Sequence, residues 1–272
     1  MPEERSFFGE NAGFYSKSPG HSRGPDLALL LKRLAMHGDE SVLDVATGTG
    51  HTALAIAPYA AKVFGVDATE QMLAEAVKLA EGRELRNVAY MVADSRNLPF
   101  APGSFDIVTC RRAAHHFQDK ESFLSEVARV LRPGGRMALV DMSPTLAARG
   151  LLDDMERIRD RTHVRSYTSE EWRKVTEASG LRVTSLDILE EYLTLSEWLS
   201  PVDAGSEAEE AVRRRLAHSS PEELQAIGAR PLSAPIEGWV KRRIVLVAVR
   251  ESAARGHTTP RTDSDKLIIS KD

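Results

Sequence analysis

The sequence predicts an α/β fold built on a doubly wound, mainly parallel sheet, and three observations predict it. Apolar runs bounded by glycine, proline or aspartate alternate with stretches of helical period, the rhythm of repeated strand–helix–strand units. The first run, in VLDVATGTGHTA (residues 42–53), leads directly into a glycine loop and then a helical stretch. Pro133-Gly134-Gly135 stops a later helical stretch and opens the next apolar run.

Taken in order, strands are expected at 41–45, 62–66, 88–92, 105–109, 136–141, 181–189 and 239–249. Helical stretches at 51–60, 70–81 and 121–131 separate the first five, with a shorter irregular crossing near 95–102. Residues 26–35 (DLALLLKRLA) read as an amphipathic helix ahead of the first strand, whereas 7–21 show no clear period. After the fifth strand, residues 144–167 and 196–227 are too long for simple connections and read as helical inserts in one domain spanning 1–250. The last stretch, 251–272, is polar and poor in aromatics and reads as a disordered tail.

Bulk composition narrows the classes of function. With 272 residues, 42% hydrophobic and 28% charged, the chain is long enough for one large domain and ordinary for a globular protein. Lysine and arginine number 36 and aspartate and glutamate 40, a formal charge of −4 that gives no electrostatic reason to expect a nucleic-acid partner. The lone cysteine, Cys110, excludes an internal disulfide and a cysteine zinc cluster, and it reads as a small buried hydrophobe. No apolar run reaches the roughly 20 residues a membrane span needs, and residues 1–10 lack an apolar signal core, so the cytoplasm is the expected location. No group of His, Asp or Glu has metal-ligand spacing, so no metal is expected.

The glycine loop is the first candidate site. Gly48 and Gly50 allow positive φ and let backbone amides approach a ligand at a helix N-terminus. Gly48, Gly50 and Ala53 also satisfy the G-x-G-x-x-A spacing of dinucleotide binders, with Asp67 ending the next strand, so the loop alone leaves two cofactors open. Further features favour S-adenosylmethionine (SAM). Asp44 stands where a dinucleotide fold carries an apolar residue, and Asp94-Ser95 follow the third strand, where an acceptor can take an adenine amino group. FDIVTCRRAAHHF and VARVLRPGGRMALVD then follow in order.

On these motifs residues 7–142 resemble the class I SAM-dependent methyltransferases, in particular the methyltransferase type 11 group similar to the ubiquinone/menaquinone-biosynthesis enzymes. The resemblance implies a Rossmann-like sheet of seven strands with the last antiparallel, and the final run WVKRRIVLVAVR suits that edge position. It places Gly48 and Gly50 against the methionine and ribose of SAM, Asp67 on the ribose, Asp94 and Ser95 around the adenine, and Arg111 at the methionine end. Ala46, Ala68, Met72 and Tyr15 complete the expected cofactor wall, with His21 near Tyr15 in a segment that folds over the cofactor. Asp44 either touches the ligand or only organises the glycine turn, and Met72 serves equally as core or as adenine wall.

Methyl transfer is a displacement at carbon, so the protein chiefly aligns the acceptor, excludes water and, for an acidic acceptor, removes a proton. His115 and His116 follow the fourth strand at the edge where ligands bind, and one imidazole is expected to face the pocket as a base. His163 reads as a surface residue. The stretch after strand four is CRRA rather than Asn/Asp-Pro-Pro-Tyr/Phe, and there is no Pro-Cys pair, so a small-molecule acceptor methylated on oxygen or carbon, quinone-like by analogy, is expected. A macromolecular acceptor, and SAM binding without transfer, stay open as alternatives.

Overall fold

The computed structural model describes residues 2–200, 205–232 and 235–251, so the expected tail lies outside the described residues except for Glu251. The elements run α1 (Pro2–Lys17), α2 (Pro19–Ser22), α3 (Pro25–Leu34), β1 (Ser41–Val45), α4 (His51–Ile56), β2 (Lys62–Asp67), α5 (Glu70–Glu81), β3 (Val88–Val92) and β4 (Phe105–Arg111). They continue with α6 (Lys120–Val130), β5 (Leu131–Met142), α7 (Leu146–Arg159), α8 (Ser169–Ala178), β6 (Leu181–Thr194), α9 (Leu195–Leu199), α10 (Glu207–Ala217), α11 (Pro221–Ala226) and β7 (Gly238–Arg250). One seven-stranded sheet has the order β3-β2-β1-β4-β5-β7-β6. The pairs β3–β2–β1–β4–β5 are parallel, and β7 is antiparallel to both of its neighbours.

Helices cover both faces of this sheet, so side chains of alternate parity enter two different cores. Leu43, Val108, Leu139 and Leu246 meet Phe123, Leu124, Val127 and Trp172 on one face. Val42, Ile107, Val140 and Val245 meet Leu30, Leu34 and Ile56 on the other. Cys110 is fully buried in the first core, as its strand position implied. A third cluster joins the two inserts: Leu151 and Met155 of α7 pack with Trp198 and Leu199 of α9, Val212 and Leu216 of α10, and Trp239. No described helix is long and apolar enough to cross a membrane.

Several elements differ from the sequence expectation. The final run β7 is not the edge but lies between β5 and β6, and β6 is the edge strand. The reason is in the side chains: IVLVA (residues 244–248) is buried on both faces, whereas β6 carries polar residues through most of its length. The aperiodic 7–21 segment is helical in α1 and α2. The expected 51–60 helix breaks after Ile56 into a 3-10 turn at Ala57–Tyr59, where Pro58 sits. Pro133-Gly134-Gly135 stay within β5, in a bulge: Leu131 pairs with Phe105 and Arg136 with Ile107, so residues 132–135 have no partners between them.

Gly50 stands at the junction of β1 and α4 with φ +82°, and a Cβ there would meet the Tyr90 hydroxyl at 2.5 Å and Ala76 Cβ at 3.0 Å. Gly50→Ala should therefore lower the unfolding free energy by about 1–3 kcal/mol, the usual cost of a strained backbone position, as read from urea denaturation.

Candidate active site

The C-terminal ends of β1, β2, β4 and β5 open on one cavity of about 640 Å³. The glycine loop forms one wall. Thr47 N donates to Val66 O at 2.9 Å and Gly50 N to Thr47 O at 2.9 Å, which folds the chain back over β2. Gly48 (φ +56°) lines the cavity, and a Cβ there would point into open space, so the loop leaves a cradle beside its backbone. Asp44 and Gly50 do not line the cavity; they stand behind the wall. The Asp44 carboxylate accepts from Thr47 Oγ1 at 2.6 Å and Thr109 Oγ1 at 2.7 Å, so it organises the glycine turn. Burial pushes its pKa up to about 6 against the pull of those two hydroxyls.

Asp67, at the end of β2, lines the cavity and accepts from Gly48 N at 2.8 Å and Thr69 N at 2.9 Å. Burial raises its pKa, while the amides of Thr69 and Gly48 oppose the shift. Ala46, Ala68, Met72, Asp94 and Ser95 complete this end of the cavity, with Met72 also largely buried. Asp94 is held by Arg96, whose Nε and NH2 donate at 3.0 and 2.7 Å, so its carboxylate is already engaged.

Arg111 and Arg112, at the end of β4, both line the cavity and share one carboxylate. Asp26 of α3 is fully buried and takes two hydrogen bonds from each guanidinium, at 2.8–3.2 Å. Burial alone would raise the Asp26 pKa, but Arg112 and Arg111 outweigh it and hold the carboxyl well below the usual range. Both arginines also donate to the Gly20 carbonyl, and Arg111 to that of His21, which ties the N-terminal helices to the sheet edge. Tyr15 and His21 thereby reach the cavity, stacked edge to face at 5.1 Å. Burial, with Asp160 nearby, pushes the Tyr15 hydroxyl up to about 12.

The histidine turn forms the opposite wall. Asp141 of β5 accepts from His115 N at 2.8 Å and faces His115 Nδ1 at 2.5 Å. A carboxylate at Nδ1 places the ring proton there and leaves Nε2 as the acceptor. Thr162 Oγ1 donates to Asp160 at 2.6 Å, so at 2.9 Å it accepts from His116 Nδ1. Burial, then the neighbouring His115, drives the His116 pKa well below the ordinary value, so this imidazole is neutral. Contrary to the expectation that only one of the two would reach the pocket, both histidines line the cavity, because the 3-10 turn at Ala114–His116 sets their tilted rings side by side with centroids 4.1 Å apart. His163 is not at the surface either: it is buried, with Nε2 2.8 Å from Asp153. Its loop clamps the histidine turn, since Val164 N and Arg165 N both donate to His115 O, at 3.1 and 3.2 Å.

Sequence reasoning missed Asp26, Arg112, Asp141, Arg159, Asp160 and Lys241, which line or brace the cavity. Asp141 had a readable signal, because it stands at the C-terminal end of its strand region as Asp44 and Asp67 do in theirs, each within one residue of the strand end. Among the described residues no cluster of three or more His, Cys, Asp or Glu side chains could hold a metal ion.

Thr109→Val removes one of the two hydroxyls that satisfy buried Asp44 and should cost about 1–3 kcal/mol at neutral pH. Because the folded-state pKa is raised to about 6, Asp44 destabilises the fold increasingly as pH rises from the ordinary carboxylate range through 6. The variant's loss should accordingly be larger at pH 7.5 than at pH 5 in parallel urea titrations.

Comparison with known proteins agrees with this geometry. A family model described as a methyltransferase domain matches residues 43–139, from β1 to β5. The chain is 35% identical to the uncharacterized methyltransferase YcgJ of Bacillus subtilis over 219 residues, covering 79% of this chain and 86% of that protein. The crystal structure of the Bacillus subtilis YcgJ protein superimposes with a TM-score of 0.77 at 30% identity, over 84% of this chain and 99% of that one. A demethylmenaquinone methyltransferase of Thermus thermophilus is 44% identical over 105 residues, only 38% of this chain and 47% of that protein. With the sheet order, the glycine cradle and a relative matched over most of both chains, this protein belongs to the class I SAM-dependent methyltransferases.

Proposed function

We propose that this enzyme methylates oxygen or carbon of a small molecule, with SAM at the glycine-loop end of the cavity and the acceptor at the histidine end. The observation that carries the reading is the His115–Asp141 pair, with Nδ1 and Oδ1 2.5 Å apart, in a cavity that the N-terminal helices and the two inserts roof over. Bound SAM supplies an electrophilic methyl group on a sulfonium. Gly48 would give it close backbone approach, Asp67 would take its ribose hydroxyls, and Ala68, Met72 and Ser95 would hold the adenine. Ala46, Tyr15 and Arg111 border the methionine end, where Arg111 also keeps α3 in place through Asp26.

His115 takes the acceptor's proton at Nε2. Asp141 orients the ring and compensates the positive charge that develops on it. His116 is a poor base because burial disfavours its charged form; it packs edge-on against Phe8 at 5.1 Å and shapes the wall. The inserts contribute Arg159, Asp160, Trp198 and Ser200 to the acceptor end and none of the residues assigned to SAM.

Three measurements test this reading. Labelled SAM incubated with a cell extract should deliver label to the low-molecular-weight fraction; label confined to protein or nucleic acid would overturn the small-molecule assignment. With the acceptor so found, His115→Ala should lower turnover by about 10²–10⁴ with SAM affinity nearly unchanged, and His116→Ala should lower it far less. Asp67→Ala should weaken SAM binding by about 1.5–3 kcal/mol in titration calorimetry, the range for hydrogen bonds to a charged group.

A further inference from the structure

Beyond the histidine turn, the acceptor end of the cavity carries an unusual charge arrangement. Lys241 and Arg243 are two residues apart on β7 and lie at the edge where β5 ends, since Arg243 pairs with Met142 and Ile244 with Asp141. Arg159, at the end of α7, lines the same wall. Buried Glu156 serves both Arg159 and Lys241: Arg159 NH2 donates to it at 2.6 Å and Lys241 Nζ at 3.3 Å. Glu156 thus serves two cations, and the Asp160 charge acts on Arg159 as well.

The hydrogen-bond inventory separates the two signs. The carboxylates on this wall are occupied: Asp160 accepts from Thr162 N and Oγ1, Glu191 from Arg243, and Glu197 from Thr194 N and Oγ1. The cations have donors to spare. Among the described residues, Lys241 Nζ makes one hydrogen bond, the 3.3 Å contact to Glu156, and Arg159 Nε is buried with no partner although its guanidinium stacks over Trp198 at 4.8 Å. A buried donor without a partner is unfavourable, and a ligand oxygen beside this guanidinium would relieve that. Burial and the positive charges of Arg159, Arg243 and Arg112 pull the Lys241 pKa down to about 8 despite Glu156. A sulfonium donor brings a further positive charge to the same cavity.

On the small-molecule reading above, we infer that the methyl acceptor carries an oxyanion, a carboxylate or a phosphate, seated between Lys241 Nζ and the Arg159 guanidinium. This group holds the acceptor by its charged end and leaves the nucleophilic atom toward His115. Arg243, fixed by Glu191, borders the seat without closing it.

The test uses the full chain saturated with S-adenosylhomocysteine and three probes of similar shape: benzoate, phenyl phosphate and neutral benzamide. Benzoate or phenyl phosphate should bind at least about tenfold more tightly than benzamide, as a charge-assisted hydrogen bond allows, and the tighter of the two identifies the oxyanion. Lys241→Met should abolish that preference and Lys241→Arg should keep it, with S-adenosylhomocysteine affinity unchanged in both. Glu156→Gln should increase the preference, because the competing internal carboxylate is gone; a purely structural Glu156 would not do this. Equal affinities for the three probes, no binding of any of them, or an unchanged preference in Lys241→Met would overturn the inference. A neutral small molecule labelled by the enzyme would overturn it while sparing the small-molecule reading, whereas label found only on macromolecules would remove that reading itself.

Discussion

The site depends on one constraint: an aspartate carboxylate withdrawn from bulk solvent beside the cavity must have its oxygens satisfied. Four aspartates impose it. Asp44 recruits two threonine hydroxyls, Asp67 two loop amides, Asp141 the backbone and ring of His115, and Asp26 two guanidinium groups. The partners come from the glycine loop, the start of α5, the end of β4 and the histidine turn, so satisfying the four carboxylates shapes the glycine turn, the histidine turn and the N-terminal cover together. Removing any one carboxylate would leave donors without acceptors in a buried place, so function and stability are coupled here.

A parallel sheet explains why these groups meet. β1, β2, β4 and β5 all end on the same side, and the antiparallel β7 begins there, which brings Lys241 and Arg243 to the same edge. The cavity therefore has two chemically distinct ends. Backbone amides and the Asp67 carboxylate mark the end proposed for SAM. Imidazoles and cations with unused donors mark the other, roofed by inserts that pack on each other through their own apolar cluster. Trp239 of β7 belongs to that cluster and anchors the roof to the sheet.

The parts legible in the sequence were those encoded by neighbours. Strand runs, the turn at Gly48 and Gly50, and Asp67 at a strand end follow from local pattern, and the structure has seven strands in a mostly parallel sheet with the last one antiparallel. The parts that were not legible depend on long-range partners. The places of β6 and β7 exchange because the sheet interior takes the strand with two apolar faces, a comparison between segments some 50 residues apart. His163 reads as an exposed polar residue until Asp153 is placed beside it, and Asp26 looks like an ordinary helix-start acid until two arginines from β4 reach it. Lys241 lies in a basic stretch of β7 whose character shows only when Glu156 and Arg159 fold against it.

The central claim is the division of one cavity into a cofactor end and an acceptor end, with His115 between them. A crystal structure of the full chain with S-adenosylhomocysteine tests it most directly. The account predicts ribose hydroxyls within about 3 Å of the Asp67 carboxylate and the ligand sulfur on the side of the cavity facing His115. A ribose lodged against Lys241 and Arg159, or a sulfur turned away from the histidine turn, would contradict it.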